Sequence, residues 1–105
     1  MLDTDVLIEV DRGREELPDL PCFISVITLY EFVRGKVDPV RAKELVEEMC
    51  IVLPLSNDVV KRASIIWREL RRAGLLMDER DLLIGVTSIE AELPLWTDNR
   101  KLLQA

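Results

Sequence analysis

Apolar residues along the chain fall into short runs and helical repeats, and the two kinds alternate. Leu2-Asp3-Thr4 with Val6-Leu7-Ile8 predicts a very short first strand running into a brief helix. Residues 11–21, charged and punctuated by Gly13, Pro18 and Pro21, predict a loop. Cys22-Phe-Ile-Ser-Val26 is apolar and β-branched, the pattern of a buried strand, and a helix follows over 27–34 with Gly35 as its stop. Asp38-Pro39 is a helix start, an N-cap acid followed by proline, and Ala42, Leu45, Val46 and Met49 then recur at helical spacing. Ile51-Val-Leu53 predicts a second buried strand. Ser56 caps a long amphipathic helix with Val59, Ala63, Ile66, Trp67 and Leu70 on one face, closing at Gly74. Asp78 opens a helix over 79–90 whose Leu82-Leu-Ile-Gly-Val86 run is apolar nearly all round, which predicts a central position. Leu93-Pro-Leu-Trp-Thr97 predicts a final short strand and 99–103 a last helical turn.

Strands separated by helical crossovers imply a parallel sheet with helices on both faces. The expected fold is α/β, a three-layer α/β/α sandwich around a short central parallel sheet of about four strands. At 105 residues it forms one domain, residues 1–105. In such sheets function gathers at the carboxyl ends of the strands, and that rule turns the element order into a prediction about place.

Composition narrows the chemistry. No apolar stretch approaches the ~18 residues of a membrane span, and the acidic start Met-Leu-Asp-Thr-Asp lacks the basic residues of a signal peptide. A cytoplasmic protein without membrane contact is expected. There is no histidine, and Cys22 and Cys50 form no C-x-x-C pair, which sets aside zinc, haem and Cys–His catalysis. The two cysteines read as buried small hydrophobes. A disulfide is the other reading, because amides are scarce (Asn57, Asn99, Gln104), as in thermophile proteins, where intracellular disulfides occur. The net charge of −6 argues against a broad basic surface for nucleic acid, but not against carboxylates gathered round a metal.

Four acids are placed at the expected strand ends: Asp3 after the first strand, Glu31 in the first turn of the helix after the second, Asp81 in the first turn of the apolar helix, and Asp98 after the last strand. Each also has an ordinary structural role open to it. Thr28-x-x-Glu31 matches a capping box, Asp78-x-x-Asp81 resembles one, and Asp3 and Asp98 can cap the turns that follow. Capping does not account for the apolar setting, with Leu2 and Val6 around Asp3, Leu29 and Phe32 around Glu31, and Leu82-Leu83-Ile84 after Asp81. Acids converging there repel one another unless a cation is bound. Oxygen ligands without His or Cys select Mg²⁺ or Mn²⁺, ions that activate water and stabilise in-line phosphodiester displacement.

Leu2-Asp3-Thr4-Asp5-Val6-Leu7-Ile8, Ser25-Val-Ile-Thr28-Leu-Tyr-Glu31-Phe-Val-Arg-Gly35, Asp81-Leu-Leu-Ile-Gly-Val and Trp96-Thr97-Asp98-Asn99 resemble, in order, the motifs of the PIN domain, nearest to its VapC-like toxin ribonucleases. The resemblance implies a Mg²⁺- or Mn²⁺-dependent endoribonuclease that leaves a 5′-phosphate and a 3′-hydroxyl. It implies Asp3, Glu31 and Asp81 as core metal-binding acids and Asp98 as a fourth, more variable one. Thr97 falls at the family's small polar position and Asp5 at a site that is commonly Ser or Asn there. Thr4, Asp5, Thr28 and Thr97 are thus the candidates for supporting the acids, and Arg34, Lys36, Arg100 and Lys101 for meeting phosphate, with solvated surface charge as the alternative for these cations. The toxin branch further implies RNA as substrate, a homodimer and a cognate antitoxin. Phe32 and Val33 are candidates for an exposed dimer face or for core packing.

Two departures from the family stand out: the stretch between Leu7 and Cys22 is short for the helices usual there, and the chain stops soon after Asp98, where the family adds an edge strand. They favour a rival reading, a PIN-like binding or assembly module that no longer cuts. A second rival is a metal-dependent phosphatase, since Asp3-Thr4-Asp5 mimics an Asp-x-Asp nucleophile. The later Ser/Thr and Lys of that chemistry are not found at matching places.

Overall fold

The computed structural model describes residues 1–16 and 21–97. The elements in order are α1 (Thr4–Asp11), β1 (Cys22–Ser25), α2 (Val26–Val33), α3 (Pro39–Met49), β2 (Cys50–Leu53), α4 (Asn57–Arg72) and α5 (Glu79–Glu90). They form the expected α/β/α arrangement about a parallel sheet.

β1 and β2 pair in parallel, with Cys22 opposite Cys50 and Ser25 opposite Leu53. The other two predicted strands each contribute a single bridge: Leu2 lies between Ile24 and Trp96, parallel to both. Backbone bonds nevertheless tie the ends of the chain together. Leu2 N–H donates to Phe23 O (2.8 Å), Asp3 N–H to Trp96 O (3.0 Å) and Trp96 N–H to Met1 O (2.8 Å). Pro94 has no N–H to extend that ladder, and its carbonyl instead accepts from the Met1 ammonium at 2.8 Å. Four segments therefore lie side by side as expected, but among the described residues only two run as strands.

The helix starts follow their capping residues. Asp38 accepts from Arg41 N–H ahead of Pro39, and Ser56 accepts from Val59 N–H. Asp78 accepts from Arg80 N–H. Gly74, just past the end of α4, has φ +72°, the left-handed conformation that closes a helix. Ser25, not Thr28, caps α2: its Oγ accepts from Thr28 N–H at 3.0 Å. The helix therefore begins one residue early, and Glu31 stands in its second turn rather than its first. The Thr28–Glu31 capping box does not form.

The main core joins Leu2, Val6, Leu7, Ile24, Leu29, Phe32 and Val46 with the two cysteines. Phe32 is thus core, and Val33 packs against the same cluster, so neither forms an exposed face. A smaller cluster of Val59, Ala63, Leu82 and Val86 joins α4 to α5. α5 is central as its sequence predicts, with Leu82, Ile84 and Val86 buried. β2 is not the buried strand expected. It pairs with β1 alone among the described residues, and Ile51 is 53% exposed. Leu45 and Met49 of α3 are likewise exposed, leaving Val46 as that helix's one buried residue. Cys22 and Cys50, in register across the strands, are buried and are not joined by a disulfide. Burial first, and the neighbouring Cys22 second, push the Cys50 thiol up to about 11, so it is an unreactive packing group.

Ile84 is fully buried, whereas Val37 is fully exposed. Ile84→Ala is expected to lower unfolding free energy by about 2–5 kcal/mol, against less than about 0.5 kcal/mol for Val37→Ala. Urea denaturation of the two variants beside the parent protein measures the difference.

Candidate active site

Asp3 follows the bridge residue Leu2 and is the N-cap of α1, its Oδ1 accepting from Thr4 N–H at 2.7 Å. Its side chain is 0% exposed. A carboxylate taken out of water costs several kcal/mol unless its oxygens are satisfied, and both oxygens are. Oδ2 accepts from Thr97 Oγ1 at 2.8 Å, and Oδ1 also accepts from Arg80 Nη2 at 3.0 Å.

Arg80 is the hub of the site. Its Nε donates to both oxygens of Glu31 (2.7 and 2.6 Å), its Nη1 to Asp81 Oδ1 (2.6 Å), and its Nη2 to Asp3 and to Thr4 Oγ1 (both 3.0 Å). A planar guanidinium with five donors is suited to such a three-way contact. Thr4 Oγ1 in turn donates to Glu31 Oε1 at 2.7 Å, and below it a buried chain of hydroxyls runs through Thr28 to Ser25.

The charges respond accordingly. Burial works to raise the Glu31 carboxyl, but hydrogen bonds from Arg80 and Thr4, with the charges of Arg80 and Arg34, outweigh it and hold the group below its ordinary value. For Arg80, burial opposes the charge, while Glu31, Asp3 and Asp81 together raise its pKa. One guanidinium cancels one of the three negative charges and leaves the rest of the cluster acidic.

The curated ribonuclease VapC1 of Methanocaldococcus jannaschii is 35% identical over 105 residues, spanning 96% of this chain and 76% of that protein. The chain belongs to the VapC ribonuclease family. No family model matches it. Its fold is that of solved structures including VapBC-1 from nontypeable Haemophilus influenzae (TM-score 0.77, 25% identity, covering 99% of this chain and 89% of that one). DNA-bound VapBC from Salmonella typhimurium is a further likeness (TM-score 0.81, 25% identity, covering 100% and 89%).

In this VapC-family chain three of the four predicted acids, Asp3, Glu31 and Asp81, come together at the end of the sheet where the strands finish. Asp98 and Arg100, with Lys101, lie outside the described residues, as does the predicted turn over 99–103. Thr4 and Thr97 hydrogen-bond to the acids and Thr28 lies beneath them, all three buried. Asp5 sits in the first turn of α1, partly buried. Lys36 is paired with Asp11 at 2.7 Å and stacks over Phe32, and Arg34 lies over the Tyr30 ring. The residue missed from sequence is Arg80. Its only signal is a lone base between Glu79 and Asp81 at the start of the apolar helix, which reads as surface charge.

The donor set suits a hard divalent ion: it is all oxygen, anionic and already gathered on one cation. As spaced around the guanidinium, however, no three acids among the described residues form a group that holds a metal.

A carboxyl held below its ordinary value stabilises the fold fully above the unfolded glutamate pKa and ceases to as pH falls through the folded one. The metal-free protein should therefore lose stability from about pH 4 downward, and Glu31→Gln should flatten that part of the profile. Thermal melts in EDTA between pH 6 and pH 2.5 check it.

Proposed function

We propose that the protein is the toxin ribonuclease of a toxin–antitoxin pair, an endoribonuclease that hydrolyses RNA phosphodiester bonds with Mg²⁺ or Mn²⁺. The observation that carries this reading is the convergence of Asp3, Glu31 and Asp81, from three separate segments, on a single cation in a VapC-family chain. Asp3, Glu31 and Asp81 would hold the ion, with Asp98 beside them. When bound, it supplies an acidified water and a counter-charge for the developing phosphorane.

The chain's own groups have distinct tasks in this scheme. Thr4 N–H and Thr97 Oγ1 fix both oxygens of Asp3, and Thr4 Oγ1 fixes Glu31, so two of the acids are oriented by protein donors rather than by the ligand. Asp81, partly exposed in the first turn of α5, would accept a proton from an attacking water. With no histidine in the chain, a carboxylate is the available base.

The partners follow from the relatives. The Haemophilus and Salmonella structures are VapBC assemblies, the latter bound to DNA, which supports a cognate antitoxin for this chain. A homodimer fits the large apolar side chains left exposed on α4 and the turn after it, including Val60, Trp67 and Leu76. No described helix is long and apolar enough to cross a membrane, which fits action on cytoplasmic RNA. One observation favours the silent-module reading: Arg80 already fills the acidic cluster.

Incubation with single-stranded RNA separates the two. Cleavage should require Mn²⁺ or Mg²⁺ and stop in EDTA. It should fall at least ~100-fold in Asp3→Asn and Asp81→Asn, with a generic phosphomonoester left intact. RNA that survives metal and a folded, antitoxin-free protein refutes nuclease activity and leaves the silent module.

A further inference from the structure

We infer that Arg80 is a built-in competitor for the divalent ion: its guanidinium holds the three acids in the metal-free protein, and it must leave the cluster when metal binds. The inference rests on the metal reading of the same three acids.

The geometry gives Arg80 the part of a ligand. Each of its three nitrogens addresses a different acid, at 2.6–3.0 Å. It therefore engages both oxygens of Glu31 and Oδ1 of Asp3 and of Asp81, and an ion drawing on the same oxygens competes with it. Among the described residues no three acids stand as a group that could hold a metal ion while Arg80 is among them.

Its position on the helix points the same way. Arg80 is the second residue of α5, after the N-cap Asp78 and Glu79. The positive end of the helix dipole disfavours a cation there, so the carboxylates supply the attraction that keeps the guanidinium in place. A dication among those carboxylates removes that attraction and adds repulsion. A way out exists as well, because the Arg80 side chain is 28% exposed while Asp3 beneath it is sealed. Leaving thus requires movement of one long side chain, with the hydroxyl support from Thr4 and Thr97 retained.

The consequence is a threshold. A monocation tethered in the site lowers the apparent affinity for Mg²⁺ or Mn²⁺, and the protein folds without exposing three like charges to one another.

Calorimetric titration with Mn²⁺, with melting in EDTA, tests this on the parent protein, Arg80→Met, Arg80→Lys and Asp81→Asn. Arg80→Met should bind Mn²⁺ at least ten-fold more tightly than the parent, melt lower in EDTA, and gain more from saturating Mn²⁺. Arg80→Lys, whose ammonium cannot span three acids, should fall between them, and it carries the comparison if the Met variant unfolds without metal. Equal or weaker Mn²⁺ binding by folded Arg80 variants, with Asp81→Asn weaker still, overturns the competitor role while leaving the metal site standing. Absence of Mn²⁺ binding in the parent and both Arg80 variants defeats the metal reading and this inference together.

Discussion

The buried carboxylate of Asp3 is the constraint around which the rest is arranged. It caps α1, its backbone N–H pairs with Trp96, its Oδ2 takes the Thr97 hydroxyl and its Oδ1 takes Arg80 of α5. One residue near the start of the chain is thereby joined to a helix start 77 residues on and to a hydroxyl 94 residues on. Oδ1 is doubly served, by Thr4 N–H and Arg80, whereas loss of the Thr97 hydroxyl would take from Oδ2 its donor in a place that water does not reach, a larger penalty than loss of an exposed pair.

Parallel pairing explains why these partners meet. Because the segments at Leu2, β1, β2 and Trp96 all run the same way, their carboxyl ends share one edge. The residues that follow them, Asp3, α2 and Thr97, emerge there together. α5 reaches the same edge through its first turn, while its apolar middle is locked in place by Leu82, Ile84 and Val86. Core packing therefore fixes where the acids stand, and hydrogen bonds fix only how they point.

What could be read from the sequence and what could not divide by range. Asp38-Pro39, Ser56, Gly74 and Asp78 are local signals, and each marks a helix boundary in the structure. Three of the four acids were legible because strand ends and helix starts place them. The errors arise where neighbours in space decide. Ile51-Val-Leu53 has the composition of a buried strand, but nothing in it says that its outer edge lies open. Ser25 and Thr28 compete for one cap, and the earlier hydroxyl wins, which moves Glu31 by part of a turn. Arg80 was illegible for the strongest form of this reason, since its partners Glu31 and Asp3 lie 49 and 77 residues away.

That Arg80 adjoins Asp81 in sequence has a physical consequence of its own. The helix turn that delivers the third acid to the cluster also delivers its counter-charge, so the two arrive as a unit when α5 docks. Three carboxylates assembled one by one would meet rising repulsion; in this arrangement the last adds as much positive charge as negative. The acidic set can thus be completed during folding without help from an ion, and it keeps a net negative charge. A site built in this order carries its own counter-charge into the folded state, which a purely acidic cluster in an apolar setting could not do.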